Sequence, residues 1–132
     1  MEQTIFIPGP LPGLNELLLA KGRMFPGGRG KRWNGYANIK KQVGETIYWH
    51  MIQAHLVPVR HARFRFVWCE RDRRRDPDNV AAGGRKIIFD ALVKAKILHD
   101  DGPDQIQGWE DVFRIDKDNP GCHVTIQAVG GT

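Results

Sequence analysis

The apolar positions of this chain switch between a period of two and a period near 3.6, and each switch marks an element. Residues 3–7, Gln-Thr-Ile-Phe-Ile, read as a first strand, stopped by Pro8-Gly9-Pro10-Leu11-Pro12-Gly13. A loop over roughly 21–35 follows, rich in glycine and basic residues. From about Tyr36 to Leu56 the apolar residues Tyr36, Ile39, Val43, Ile47 and Met51 recur at spacings of three and four, which predicts an amphipathic helix closed by Pro58. Residues 62–70 then alternate, with Phe64, Phe66 and Trp68 to one side and Arg63, Arg65 and Val67 to the other, as in a strand. A second helix is predicted over roughly 80–96, with Asn79 as its N-cap. Its apolar face holds Val80, Gly84, Ile87, Ile88, Ala91 and Ala95, and a polar stripe holds Asn79, Gly83, Lys86 and Asp90. Two strand-like runs, about 105–115 and 122–129, end the chain and are joined through the turn Asn119-Pro120-Gly121. The order β-α-β-α-β-β predicts an α+β fold: one small domain over 1–132, with a mixed sheet and two main helices.

Composition narrows the class. With 132 residues, 41% of them hydrophobic and 27% charged, the chain has enough apolar material for one core without disulfide staples. Its two cysteines, Cys69 and Cys122, exclude a disulfide-dense scaffold and a multi-cysteine zinc site, and are expected as buried thiols. No run approaches the roughly 20 apolar residues that span a bilayer. The start, Met1-Glu2-Gln3-Thr4-Ile5, lacks the basic and apolar regions of a signal peptide, so no membrane partner and a cytoplasmic location are expected.

Charge adds a direction. The net charge is +5, unevenly placed: residues 60–75 hold seven arginines against two acids, while residues 97–118 hold seven acids against Arg114 and Lys117. A basic field beside a compact acidic region suits a protein that holds a polyanion and carries out metal chemistry on it. An intramolecular match of opposite surfaces fits the same numbers equally well.

The chemistry concentrates at Arg73-Arg74-Arg75-Asp76-Pro77-Asp78-Asn79. If this stretch stays extended, Asp76 and Asp78 point to one side. Asp100 and Asp101 follow the next helix, and a strand–helix–loop hairpin is expected to return them to the same end. Carboxylates ~5 Å apart repel by roughly 3 kcal/mol per pair at an effective dielectric near 20, so such a cluster calls for a proton or a cation. Hard oxygen ligands select Mg²⁺ or Mn²⁺, which serve phosphodiester hydrolysis by activating water and neutralising charge on phosphorus. A calcium loop of EF-hand type is excluded, because position six would be Ala81 and position twelve Ile87. The competing reading is a plain turn in which Asp78 or Asn79 caps a helix. Lys86 is a candidate to stabilise transition-state charge, or a surface lysine paired with Asp90. Gly83, on its stripe, offers close approach to a phosphate backbone.

Other candidates carry less. Lys21, Arg23, Arg29, Lys31 and Arg32 in the glycine-rich loop, with Arg73, Arg74 and Arg75, are expected to grip DNA phosphates. Trp33 is placed to stack on an unpaired base, whereas Trp49, Trp68 and Trp109 are read as core or interface residues. The five histidines are scattered and read as structural or solvated. No P-loop, Ser-His-Asp signature or dinucleotide fingerprint is present.

Taken in order, Pro8 to Asn15, Arg74-Arg75-Asp76-Pro77-Asp78-Asn79, Lys86 to Leu92, and Asp100-Asp101 with Gln105-Ile106 resemble the RusA-type Holliday junction resolvases, small endonucleases common in phages and prophages. The resemblance covers most of the chain. It implies Asp76, Asp78 and Asp101 as metal-binding catalytic acids, Lys86 as the catalytic lysine, and a homodimer. Asp100 is a further candidate ligand. Val80 to Arg85 lengthen the gap between Asn79 and Lys86 relative to the best-known member, yet seven residues are about two turns and keep Lys86 on the Asn79 face. The expected activity is Mg²⁺- or Mn²⁺-dependent cleavage of branched DNA, with four-way junctions foremost. Flaps or forks as main substrates, or a basic module that binds DNA without cutting, are the alternatives.

Overall fold

The computed structural model describes residues 1–9, 11 and 35–130. Its elements follow the expected order: β1 (Glu2–Pro8), α1 (Gly35–Gln53), β2 (Ala62–Glu70), α2 (Pro77–Lys94), β3 (Ile106–Ile115) and β4 (Gly121–Ala128). The fold is thus a small α+β domain with a four-stranded mixed sheet and two helices.

Helix ends depart from the periodicity for local reasons. Helix α1 stops short of Leu56 because His55 adopts a left-handed φ of 53°, which breaks the ladder before Pro58 is reached. Helix α2 starts at Pro77, three residues before the expected start. Asp76, not Asn79, is its N-cap: the Asp78 backbone N–H donates to Asp76 Oδ1 at 2.9 Å, and Val80 N–H donates to the Asp76 carbonyl at 3.0 Å. Pro77 suits the first helical position, where a missing N–H costs nothing. At the far end, Lys96 takes a left-handed φ of 61°, and the Ile97 and Leu98 amides close back on the Leu92 carbonyl.

The strand order is β1-β4-β2-β3. Strand β4 pairs antiparallel with β1 and β2, while β2 and β3 run parallel. The last two strands therefore form no hairpin; β2 lies between them. The 116–120 connection passes over the end of β2, where Asp116 N–H donates to the Glu70 carbonyl at 2.8 Å. The Asp116 carboxylate accepts from the Asp118 and Asn119 amides, which turns the chain.

Burial on β2 alternates as predicted, with Phe64, Phe66 and Trp68 almost wholly buried. Their rings form a ladder, with Phe64–Phe66 centroids at 6.1 Å and Phe66–Trp68 at 5.4 Å. Phe89 of α2 meets the first two rings edge-on, at 5.1 and 5.6 Å. Such contacts add about 0.5–1.5 kcal/mol per pair beyond the area they bury. Ile87, Ile88 and Leu92 complete the layer between α2 and the sheet. On the other helix, Ile47 and Met51 of the predicted face are buried, and Lys40 ties α1 to Asp90 of α2 at 2.9 Å. Gly83 and Gly84 lie on the buried side of α2. Gly83 therefore offers no open approach to a phosphate backbone, contrary to the polar-stripe expectation.

Gly84 is required by close approach: a Cβ there would lie 2.6 Å from Cζ3 of the buried Trp68 ring. Gly84→Ala should lower stability by about 1–3 kcal/mol through overpacking, less the roughly 1 kcal/mol that alanine gains in helix propensity. Thermal and urea unfolding measure the balance.

Both cysteines are free and buried, as expected. Burial pushes the Cys122 thiol far above its ordinary range, with Cys69 and then Asp111 adding to the effect. Burial likewise raises Cys69, followed by the neighbouring Asp116 carboxylate. Both folded pKa values exceed the unfolded one, so this contribution to stability is complete below the ordinary thiol pKa of about 8.5 and is lost as pH rises through the folded values. Urea denaturation across pH 7.5–10.5, a range set by about one unit below and two above that pKa, should show falling stability. Cys122→Ala should flatten the decline.

Candidate functional site

The parallel β2–α2–β3 crossover decides where the acidic residues lie. Helix α2 runs antiparallel to β2, so its two ends sit at opposite ends of the sheet. Asp76 and Asp78 lie at the end of Glu70, where Arg75 Nε and Nη2 donate to the two Glu70 carboxylate oxygens at 2.6 and 2.8 Å. Asp100 and Asp101 lie at the end of Ala62. There Val59 N–H donates to the Ile97 carbonyl at 2.9 Å, Ala62 N–H to the Gln105 carbonyl at 2.8 Å, and the His61 ring meets the Asp104 carbonyl at 2.6 Å. An 18-residue helix is about 27 Å long, and that length separates the two pairs of carboxylates.

The expected convergence of Asp76, Asp78 and Asp101 is therefore not formed within one chain. The hairpin does return, but to the start of β2 rather than to its end. Among the described residues no group of three His, Cys, Asp or Glu side chains is gathered to hold a metal ion. Of the acids anticipated to hold Mg²⁺ or Mn²⁺, only Asp76 and Asp78 lie together at the N-terminus of α2 within one chain. Asp76 and Asp78 also depart from the extended arrangement: Asp78 belongs to the first helical turn and Asp76 caps it, so both sit at an exposed helix N-terminus. Asp100 turns inward on its own loop, its Oδ1 accepting the Asp101 N–H at 2.8 Å.

Lys86 is exposed on α2, two turns from Asp78 and about 12 Å along the axis. Asp90, its anticipated partner, pairs with Lys40 instead. Of the arginines, Arg73 and Arg74 are exposed, with Arg74 at 3.6 Å from Asp72. Arg75 is not available to a phosphate in the same way. Besides its bidentate pair with Glu70 it donates to the Leu11 carbonyl at 2.7 Å, which anchors the turn to the start of the chain. Arg71 joins Arg73 and Arg74 in the exposed basic turn. Lys21, Arg23, Arg29, Lys31, Arg32 and Trp33 lie outside the described residues. Of the other tryptophans, Trp68 is core, while Trp49 is 60% and Trp109 48% exposed.

A second network escaped the sequence reading. Asp111 of β3 accepts from Trp68 Nε1 at 2.9 Å and from Arg85 Nη1 at 2.6 Å, and the Arg85 guanidinium lies 4.8 Å from the Trp109 ring centroid. These residues are distant in sequence, and only an i, i+2 phase shared by the inner face of β3 could have hinted at them. The pair is mostly buried and joins α2 to the edge strand. Asp111 therefore belongs to the fold rather than to an acidic surface.

The arginines should separate by function. Arg75→Ala strands a mostly buried Glu70 carboxylate and should cost about 1–3 kcal/mol of stability, whereas Arg73→Ala should stay within about 0.5 kcal/mol of the parent in the same melts. Compared with known families and with characterised proteins, the sequence matches none, so the roles of these residues rest on their own chemistry.

Proposed function

We propose that this protein is a structure-specific endodeoxyribonuclease acting as a homodimer on branched DNA, four-way junctions foremost, with a need for Mg²⁺ or Mn²⁺. One observation carries the reading: an exposed arginine turn, Arg71 to Arg74, leads straight into two exposed carboxylates at a helix N-terminus. Guanidinium groups seat phosphates by bidentate contacts without reading base sequence. Carboxylates immediately beside a seated phosphate would otherwise repel it, so their placement is useful only when a cation lies between. Asp76 and Asp78 would hold a divalent ion, which when bound would supply charge neutralisation and an activated water for hydrolysis leaving a 5′-phosphate and a 3′-hydroxyl.

The residues divide the remaining work. Arg73 and Arg74 hold the backbone, Lys86 stabilises charge on the DNA from the exposed side of α2, and the rigid β2–α2 corner sets their spacing. Lys21, Arg23, Arg29, Lys31 and Arg32, outside the described residues, add to the positive charge of the chain. Among the described residues no helix is long and apolar enough to cross a membrane, and none is needed in this role. A second reading is a basic module that binds branched DNA without cutting it. It is favoured by the separation of Asp76 and Asp78 from Asp101 within one chain.

Labelled junction, flap and linear duplex incubated with Mg²⁺, Mn²⁺ or EDTA separate the two. Junction nicking is expected with either ion and not with EDTA. Asp78→Asn should bind junctions with parental affinity and lose cleavage by at least about 100-fold, the scale of one removed stabilising group. Affinity should fall with a log–log salt slope of about −0.9 per phosphate neutralised, and Arg73→Ala should reduce that slope by about one contact. Binding with no nicking under any divalent ion would establish the non-cleaving module instead.

A further inference from the structure

Both helices pack on one face of the sheet, the face of Phe64, Phe66 and Trp68. Among the described residues no helix covers the other face. Strand register orders it in rows across β1, β4, β2 and β3: Glu2–Gln127–Arg63–Gly108, then Thr4–Thr125–Arg65–Glu110, then Phe6–His123–Val67–Val112. One row further on, Arg114 stands on β3 beside Cys69. Two halves result. The β2–β3 half is basic, with exposed Arg63, Arg65 and Arg114 against Glu110. The β4–β1 half carries rings, hydroxyls and an amide, with Glu2 at its corner. We propose that this open face is a platform for an unpaired DNA strand, its phosphates along the arginines and its bases over Phe6 and His123.

Local geometry keeps this face open and its cations exchangeable. Arg63 and Arg65 stand two residues apart on one strand, so their Cα atoms are about 7 Å apart. Arg65 Nε meets Glu110 Oε1 at 3.3 Å, and both side chains are at least half exposed. Such a pair is worth at most about 1 kcal/mol, so a phosphate displaces it at little cost. Arg63 extends over the edge strand: its Nη1 is 3.5 Å from where a Cβ on Gly108 would stand. Gly108 has a φ of 151° and follows a register shift between Ala62 and Arg63. Its missing side chain leaves a trough of about 410 Å³ bounded by Arg63, Arg65, Glu110, Thr125 and Gln127. In the third row the Phe6 and His123 ring centroids lie 4.6 Å apart. Gly121 makes room for that pair, since a Cβ there would lie 2.7 Å from Phe6 Cζ.

Chemistry selects the occupant. Guanidinium groups in a line fit a chain of phosphates, not an apolar partner. A duplex is read by a helix or ribbon that enters a groove, and a sheet face does neither. A splayed strand suits a sheet: its backbone follows the cations, and every base has a flat face to lay on a ring. Thr4 and Thr125, whose hydroxyls meet at 3.2 Å, and the exposed Gln127 amide offer donors and acceptors to base edges. From Arg63 to Cys69 the strip is roughly 20 Å long, room for several nucleotides. This deepens the reading above and rests on its DNA-binding part alone, not on cleavage. Among branched DNAs, a flap or fork with an unpaired arm gains a second hold that a fully paired junction lacks.

Fluorescence anisotropy of the full chain in EDTA tests this, with a labelled oligothymidylate of about ten nucleotides, within the range of single-strand sites. Wild type should bind it. Arg63→Ala combined with Arg65→Ala should weaken binding at least about 10-fold and reduce the log–log salt slope by about 1.4, two contacts at about 0.7 each. His123→Ala should weaken it about 5-fold or more, the low end of base stacking on a ring. Glu110→Gln, which releases Arg65, should tighten it about 2-fold. A 5-iodouracil oligonucleotide should crosslink to peptides that hold Phe6 or His123. No binding by wild type, parental affinity in the folded double variant, or crosslinks confined to other peptides would each overturn the platform. Should the double variant unfold, Glu110→Gln and the crosslink map decide. Junction nicking without oligothymidylate binding would overturn the platform and leave the nuclease standing; binding without nicking would do the reverse.

Discussion

The packing of α2 on the aromatic ladder of β2 governs everything else in this structure. Phe64, Phe66 and Trp68 present three rings in a row, and Phe89 with Gly84 lets a helix lie directly on them. A helix so placed must run back along its strand. Its N-terminus is then held beside Glu70 and its C-terminus beside Ala62, whatever chemistry the residues at those ends carry. The parallel β2–β3 pair is the topological expression of the same constraint, since a parallel strand can be reached only through such a crossover.

The charges divide accordingly. Glu70–Arg75 and Asp111–Arg85 are mostly buried, geometrically good pairs that fasten the corner before α2 and the edge strand behind it. Pairs of this kind matter mainly because breaking one leaves an uncompensated charge. Arg71, Arg73, Arg74, Asp76, Asp78, Asp100 and Asp101 are exposed, and none of them is needed to close the core. The fold thus sequesters some of its ions and leaves others exposed at two opposite rims of the sheet.

An exposed edge strand carrying half-exposed Trp109 and Phe113 is an aggregation hazard unless something covers it.

Local pattern was enough for much of this protein. Alternation in 62–70 and the three-and-four spacing in 36–56 depend on neighbours along the chain, so the elements, their order and the inward aromatic face of β2 were legible from the residues alone. The arginine turn and its aspartates were legible as chemistry for the same reason. Three things were not. The N-cap moved from Asn79 to Asp76 because Pro77 can open a helix as readily as it can extend a strand. The order of the strands was not legible either: β2 lies between β3 and β4, a pairing set by long-range hydrogen bonds that no turn motif encodes. Above all, Asp101 was led to the wrong end of the sheet: sequence spacing says that a helix intervenes, but only packing says which way it points, and a helix of that length carries its ends too far apart for both to serve one ion.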